Sequence, residues 1–252
     1  MIARPILALA CLIAASVALF SPPIATATER TALVIGNATY SELGVLPNAS
    51  ADAKAIAAVL QQLGYETQLV IDADDARLRK EVRKFAASSD NAKIALISYA
   101  GHGAQVNGEN YLLPVDIGIP QHESDIQLTG LKVDDLVNSI RSETKVVFLD
   151  ACRDNPALFK NLVKGRGGRS VGLAPTIGSN LSPAKPGGGI FIAYATDSGA
   201  VALDGQGGHS PFTQALLDHL KEAISIDDMF ASDPGSSTRN AGRSATLQIR
   251  LA

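Results

Sequence analysis

From Arg30 onward, short apolar runs alternate with longer stretches whose apolar positions recur every three or four residues. "RTALVIGNATY" (30–40) holds a strand-length run from Ala32 to Ile35 that stops at Gly36 and Asn37, two turn-forming residues. "SADAKAIAAVLQQLG" (50–64) then puts Ile56, Val59, Leu60 and Leu63 on one helical face, with Asp52 in the first turn and Gly64 placed to end the helix. A strand is predicted at "YETQLVI" (65–71). An amphipathic helix follows at "DDARLRKEVRKFAAS" (74–88), with Leu78, Val82 and Phe85 inward, and a third strand at "KIALISYA" (93–100). "NGENYLLPV" (107–115) opens on Asn-Gly, the signal of a small hairpin. "VDDLVNSIRS" (133–142) reads as a short helix and "KVVFLDA" (145–151) as the fourth strand. "GIFIAYAT" (189–196) adds another strand and "SPFTQALLDHLKEA" (210–223) another amphipathic helix.

Strand and helix in strict alternation imply an α/β fold: right-handed crossovers and a mostly parallel central sheet flanked by helices. In such sheets ligands bind beyond the carboxyl ends of the strands. Two of these ends carry reactive side chains. "SYAGHG" (98–103) delivers His102, and "KVVFLDACRD" (145–154) delivers Asp150 and Cys152. Although 50 positions separate His102 from Cys152, the predicted fold sets both on one rim.

Two stretches lack any period. Residues 155–189 are rich in Gly, Pro and Ser, carry Lys160, Lys164, Arg166, Arg169 and Lys185, and read as a mobile loop, either a solvated excursion or a cleavable segment. Residues 231–252 read as a polar, irregular tail. At the other end, residues 1–27 contain Arg4, an apolar stretch from Ile6 to Phe20, Pro22 and Pro23, and Ala25 and Ala27 in an A-x-A arrangement. This is the pattern of a secretory signal peptide, the other reading being a retained anchor. The stretch is about 15 residues, short of the roughly 20 a spanning helix needs. An exported chain, periplasmic or extracellular and off the membrane once the signal is removed, is therefore expected, with residues 28–230 as its one domain.

Composition narrows the function. A net charge of -3, no tryptophan and 5% aromatics argue against a nucleic-acid partner. Removal of residues 1–27, and with them Cys11, leaves Cys152 as the sole cysteine. In an oxidising compartment an unpaired thiol is either a reactive group or an intermolecular bridge, although lone buried cysteines are also common and inert. A thiol beside a histidine that takes its proton is a nucleophile. Its attack on a carbonyl creates an oxyanion that needs N–H donors, for which Gly103 and Cys152 are placed.

Apolar strand then "YAGHG", and apolar strand then "DAC", together with "ALVIGNATY", "LPNASADA" and "AYATDSGAVALDGQGGHSPFTQALL", resemble the caspase-like cysteine peptidases, notably their bacterial metacaspase and paracaspase types. A histidine about 50 residues before the cysteine is already characteristic of caspases, and the spacing is borrowed from them here. The likeness spans roughly residues 30–230. It implies the three-layer caspase-like fold, with His102 as general base and Cys152 as nucleophile of a peptidase. Where animal caspases have "QAC" and cut after aspartate, this chain has "DAC", as in relatives that cut after Arg or Lys. Asp150, and Asp52 in "NASADA", then stand as substrate-binding carboxylates for a cationic side chain. The competing roles are a helix-dipole partner for Asp52 and a strand-end hydrogen-bonding residue for Asp150. Asp197, Asp204 and Glu109 are further loop acids with no assigned role.

The predicted partner is thus a peptide or protein substrate with Arg or Lys at the cleaved position. The second reading is a catalytically silent caspase-like scaffold that binds peptides or partner proteins, and a third is another acyl-transferring cysteine hydrolase. No His/Cys/Asp spacing suits a metal site. No cofactor is assigned; some metacaspases depend on calcium, and with no EF-hand-like loop in the chain and too few acids in "DADD" (72–75) to decide, calcium dependence is left open without a supporting motif. His122, His209 and His219 receive little weight, His219 being expected half-buried on its helix. No oligomeric state is read from the sequence.

Overall fold

The computed structural model describes residues 29–151, 189–195, 208–222 and 248–251. The signal segment 1–27, Cys152, residues 155–188 of the basic loop, Asp197, Asp204 and all of the tail but four residues lie outside the described residues.

A six-stranded sheet forms the centre, in the order β2-β1-β3-β7-β8-β9. Its strands are β1 (Arg30–Gly36), β2 (Glu66–Ile71), β3 (Ile94–Gly101), β7 (Thr144–Ala151), β8 (Ile190–Tyr194) and β9 (Gln248–Leu251). The first five are mutually parallel; β9 runs antiparallel to β8. A second sheet joins β4 (Gly103–Val106), β5 (Glu109–Leu112) and the two-residue β6 (Leu131–Lys132). The helices are α1 (Ala49–Gln62), α2 (Asp75–Ser88), α3 (Glu123–Thr129), α4 (Val133–Ser139) and α5 (Pro211–Glu222).

Three layers result because the central strands are apolar on both faces. All eight residues of β3 are buried. Ala95, Ile97 and Tyr99, with Val147 and Leu149 of β7, meet Leu78, Val82 and Phe85 of α2 and Leu136 and Val137 of α4. The alternate residues Leu96, Val146 and Phe148 meet Ile56 and Leu60 of α1 and Phe212, Leu216 and Leu220 of α5. This period of two within a strand, buried on either side, is what a parallel sheet covered by helices requires.

The strand ends are tied together by buried polar groups. Asn37, wholly buried just past β1, donates its backbone N–H to Ala100 O at 2.8 Å and its amide to Leu113 O at 3.0 Å. It also accepts the Ala73 N–H at 3.0 Å. One residue, through its backbone and its side chain together, thereby fixes the exits of β1, β2 and β3 relative to one another. At Gly36 a Cβ would lie 2.6 Å from the Ala53 Cβ, so glycine lets α1 approach β1 closely.

Two expectations need correction. Gln248–Leu251 of the tail are not irregular: they pair with Phe191–Tyr194 and occupy the edge of the sheet. Four residues are too few for a readable period, and a strand that takes its order from its neighbour needs none. His219 is exposed on α5, not half-buried. The hairpin at "NG" is present, with Asn107 at φ 53° and Gly108 at φ 84°, the double positive φ of a two-residue type I′ turn.

Candidate active site

His102 sits at the joint between β3 and β4 and is buried, with 7% exposure. Gly101, the residue before it, pairs with Ala151 at the end of β7. The His102 backbone is held on both sides. Its N–H donates to the Tyr40 hydroxyl at 2.8 Å, and its carbonyl accepts from the Tyr99 hydroxyl at 2.7 Å and the Leu113 N–H at 3.1 Å. The imidazole lies 4.5 Å from the Tyr40 ring, tilted by 58°. Its Nε2 lies 3.3 Å from Gly44 O. A carbonyl can only accept, so Nε2 carries the proton and Nδ1 is the basic nitrogen.

Gly103 opens β4 opposite Leu112. Because the flanking bond runs from Leu113 N to His102 O, Gly103 and Leu112 form a non-hydrogen-bonded pair. The Gly103 N–H therefore points away from β5.

Asp52 lies in the first turn of α1 with 2% exposure. Its role goes beyond meeting the helix dipole, since a carboxylate so far from water requires directed donors. These come from the start of α5: Oδ1 is 2.8 Å from His209 Nδ1, and the Ser210 N–H reaches both carboxylate oxygens at 3.3 Å. Asp150, in β7 beside Ala100 of β3, accepts from the same residue through the Ser210 hydroxyl, and from Thr213 Oγ1 at 3.3 Å. Ser210 in turn accepts the Thr213 N–H at 3.0 Å, the bond of an N-cap, with Pro211 at the first helical position. Asp52 and Asp150, 98 positions apart, thus converge on one serine.

His209 is the functional candidate that the pattern of the sequence passes over. It is half-buried and, when protonated, forms an ion pair with Asp52. Its only local signal is "GGHSPF", where a cap follows it. Glu109, by contrast, belongs to the second sheet, paired with Lys132 and the Tyr111 hydroxyl, which together hold it below the usual carboxylate range. Each acid of "DADD" is engaged as well: Asp72 with residues 38 and 39, Asp74 as cap of α2, and Asp75 with Arg79. Among the described residues no group of three or more His, Cys, Asp or Glu is arranged to hold a metal. No described helix is long and apolar enough to cross a membrane.

The described part of the site therefore consists of an imidazole with a defined basic nitrogen, an outward-facing amide and two carboxylates meeting at a helix start. Other proteins are similar to this chain in sequence and in fold. Over 232 residues the chain is 28% identical to human mucosa-associated lymphoid tissue lymphoma translocation protein 1, and equally to its mouse homolog. The match takes 89% of this chain but 26% of each relative, so the chain spans about a quarter of their length. Among solved structures, protein GSU0716 from Geobacter sulfurreducens superposes with a TM-score of 0.59 at 18% identity, over 89% of this chain and 93% of that one. Caspase-1 from Spodoptera frugiperda does so with a TM-score of 0.53 at 19% identity, over 78% of this chain and 70% of that one. The caspase-domain family model matches residues 29–232, and the chain belongs to that family of caspase-like cysteine peptidases.

Proposed function

We propose that the protein is an exported cysteine endopeptidase that cuts peptide bonds after Arg or Lys with His102 and Cys152. His102 Nδ1 takes the proton from the Cys152 thiol, and the sulfur attacks the scissile carbonyl. The Gly103 and Cys152 N–H groups donate to the resulting oxyanion. Collapse forms a thioester and expels the amine, which leaves with the proton held by the imidazolium. Water, deprotonated by the same Nδ1, then attacks the thioester, frees the carboxylic acid and restores the thiol.

The observation that carries this is the Gly101–Ala151 pairing at the rim. His102 follows Gly101 and Cys152 follows Ala151 directly in the chain, so the two strand exits that lead into the dyad lie side by side. Two further features favour it: the Nε2–H donated to Gly44 O leaves Nδ1 as base, and the Gly103 N–H is turned away from its ladder. For Arg or Lys, the support is the convergence of Asp52 and Asp150. Both already accept from the start of α5, so a substrate cation joins those donors or displaces His209. The same specificity would direct cleavage into the basic run 155–189, and the leader pattern of residues 1–27 supports export.

A fluorogenic Arg peptide set against an Asp peptide, with Cys152→Ala beside the native protein, tests the proposal. The expected result is hydrolysis of the Arg peptide alone, lost by at least a thousandfold in the variant, with self-fragmentation only in the native protein. Cleavage after Asp would overturn the pocket assignment. No cleavage of either peptide would favour the silent scaffold.

A further inference from the structure

We infer that Tyr40 and Tyr99 form a paired hydroxyl clamp that sets the position of the His102 imidazole, making them positioning residues for the dyad. This rests on the proposed function and deepens it. The clamp is a closed circuit. His102 N–H donates to the Tyr40 hydroxyl at 2.8 Å, the two hydroxyls lie 3.1 Å apart, and Tyr99 donates to the carbonyl of the same His102 at 2.7 Å. Each hydroxyl has one proton to give. With the Tyr99 proton on His102 O, the Tyr40 proton goes to Tyr99 oxygen or to Leu113 O, which lies 3.2 Å away. Both assignments leave the His102 N–H paired with Tyr40. Such a chain of donors, each polarising the next, fixes the backbone of His102 from two sides.

Three further observations make this a constructed feature. Both rings are buried, Tyr99 wholly and Tyr40 with 5% exposure. Burial raises both phenols well above their usual range, as does their mutual proximity for Tyr40, so neither proton is lost at working pH. At Gly101 an added Cβ would lie 2.6 Å from the Tyr99 hydroxyl and 2.8 Å from that of Tyr40, so the glycine before His102 is the space in which the hydroxyls meet. The Tyr40 ring also packs on the imidazole at 4.5 Å. Tyr40 thus fixes the backbone of the base with its oxygen and the plane of the base with its ring.

Tyr40→Phe keeps the ring and removes the oxygen; Tyr99→Phe removes the other half of the circuit. The assay is hydrolysis of the Arg peptide, together with the pH dependence of Cys152 alkylation by iodoacetamide and a thermal melt. For each variant kcat is expected to fall at least tenfold with KM within twofold of native. The alkylation midpoint should move up toward that of an isolated thiol, about 8.5. Two results would overturn the clamp while leaving the proposed function standing: native kinetics in both variants, or a lower melting temperature with an unmoved alkylation profile. A native protein that cleaves no peptide and alkylates like a free thiol would overturn the proposed function, and the clamp with it.

Discussion

Asp72 shows how one residue away from the dyad governs the loop that reaches it. It adopts φ 49°, a left-handed conformation that Asp tolerates better than most residues. From there its carboxylate accepts the Ala38 and Thr39 N–H groups at 2.7 and 3.0 Å and the Thr39 hydroxyl at 3.0 Å, tying down the segment that leads into Tyr40. Partial burial pushes its pKa up, but those donors and the Arg77 charge outweigh it and hold the group below its usual value. A carboxylate lowered on folding contributes stability that is complete above its unfolded pKa, about 3.9, and lost as the pH falls through the folded value. Asp72→Asn retains the backbone tolerance but cannot titrate. It should melt below the native protein at pH 7, and the gap should narrow as the pH falls below about 3.9; a gap that is constant with pH would contradict the linkage. At this scale the sequence is legible only where chemistry coincides with a local boundary. His102, Asp52 and Asp150 stand at strand ends or in a first helical turn. Tyr40 and His209 act on partners 62 and 157 positions away, and no local pattern announces such a contact.

At the level of elements, the signals that can be read are those written into a few adjacent residues. Asn107-Gly108 specifies the β4–β5 turn because both positions require positive φ. Helix α2 is announced by Asp74, whose side chain accepts the Arg77 N–H at 2.7 Å, and by Leu78, Val82 and Phe85 on one face. Asp74→Ala should cost about 1 kcal/mol, read as a lower urea midpoint with an unchanged slope. Catalytic efficiency should stay within twofold, since α2 packs on the sheet face opposite α1 and α5. A loss of activity as large as that of the dyad variants would instead couple this helix to the site. The elements that cannot be read are α3, one short helix of seven residues, and β6, two residues paired to β5. Helix α3 buries one apolar residue, Ile126, and so shows no periodic face, and β6 is a strand only because Tyr111 and Leu112 are there to pair with it.

For the whole molecule, the alternation of strand and helix carries the parallel sheet but not the order of its strands. That order comes from which crossovers bury which faces, a choice made among distant segments. The sheet edge illustrates this most sharply. Strand β8 is buried along its whole length, and its outer ladder is taken by Gln248–Leu251. Without β9, the Phe191–Tyr194 edge would present free main-chain groups on an apolar strand, a template for pairing with another copy. Truncation after Leu247 should therefore lower unfolding free energy by on the order of 3 kcal/mol, from about four lost ladder bonds. It should also convert the protein from one size to a concentration-dependent mixture in light scattering. The effect should reach the site, because β8 pairs with β7 up to Leu149, the residue before Asp150. The Arg-peptide KM should accordingly rise more than kcat falls. A truncated chain of unchanged melting temperature and single size would mean that β9 does not close the sheet in solution.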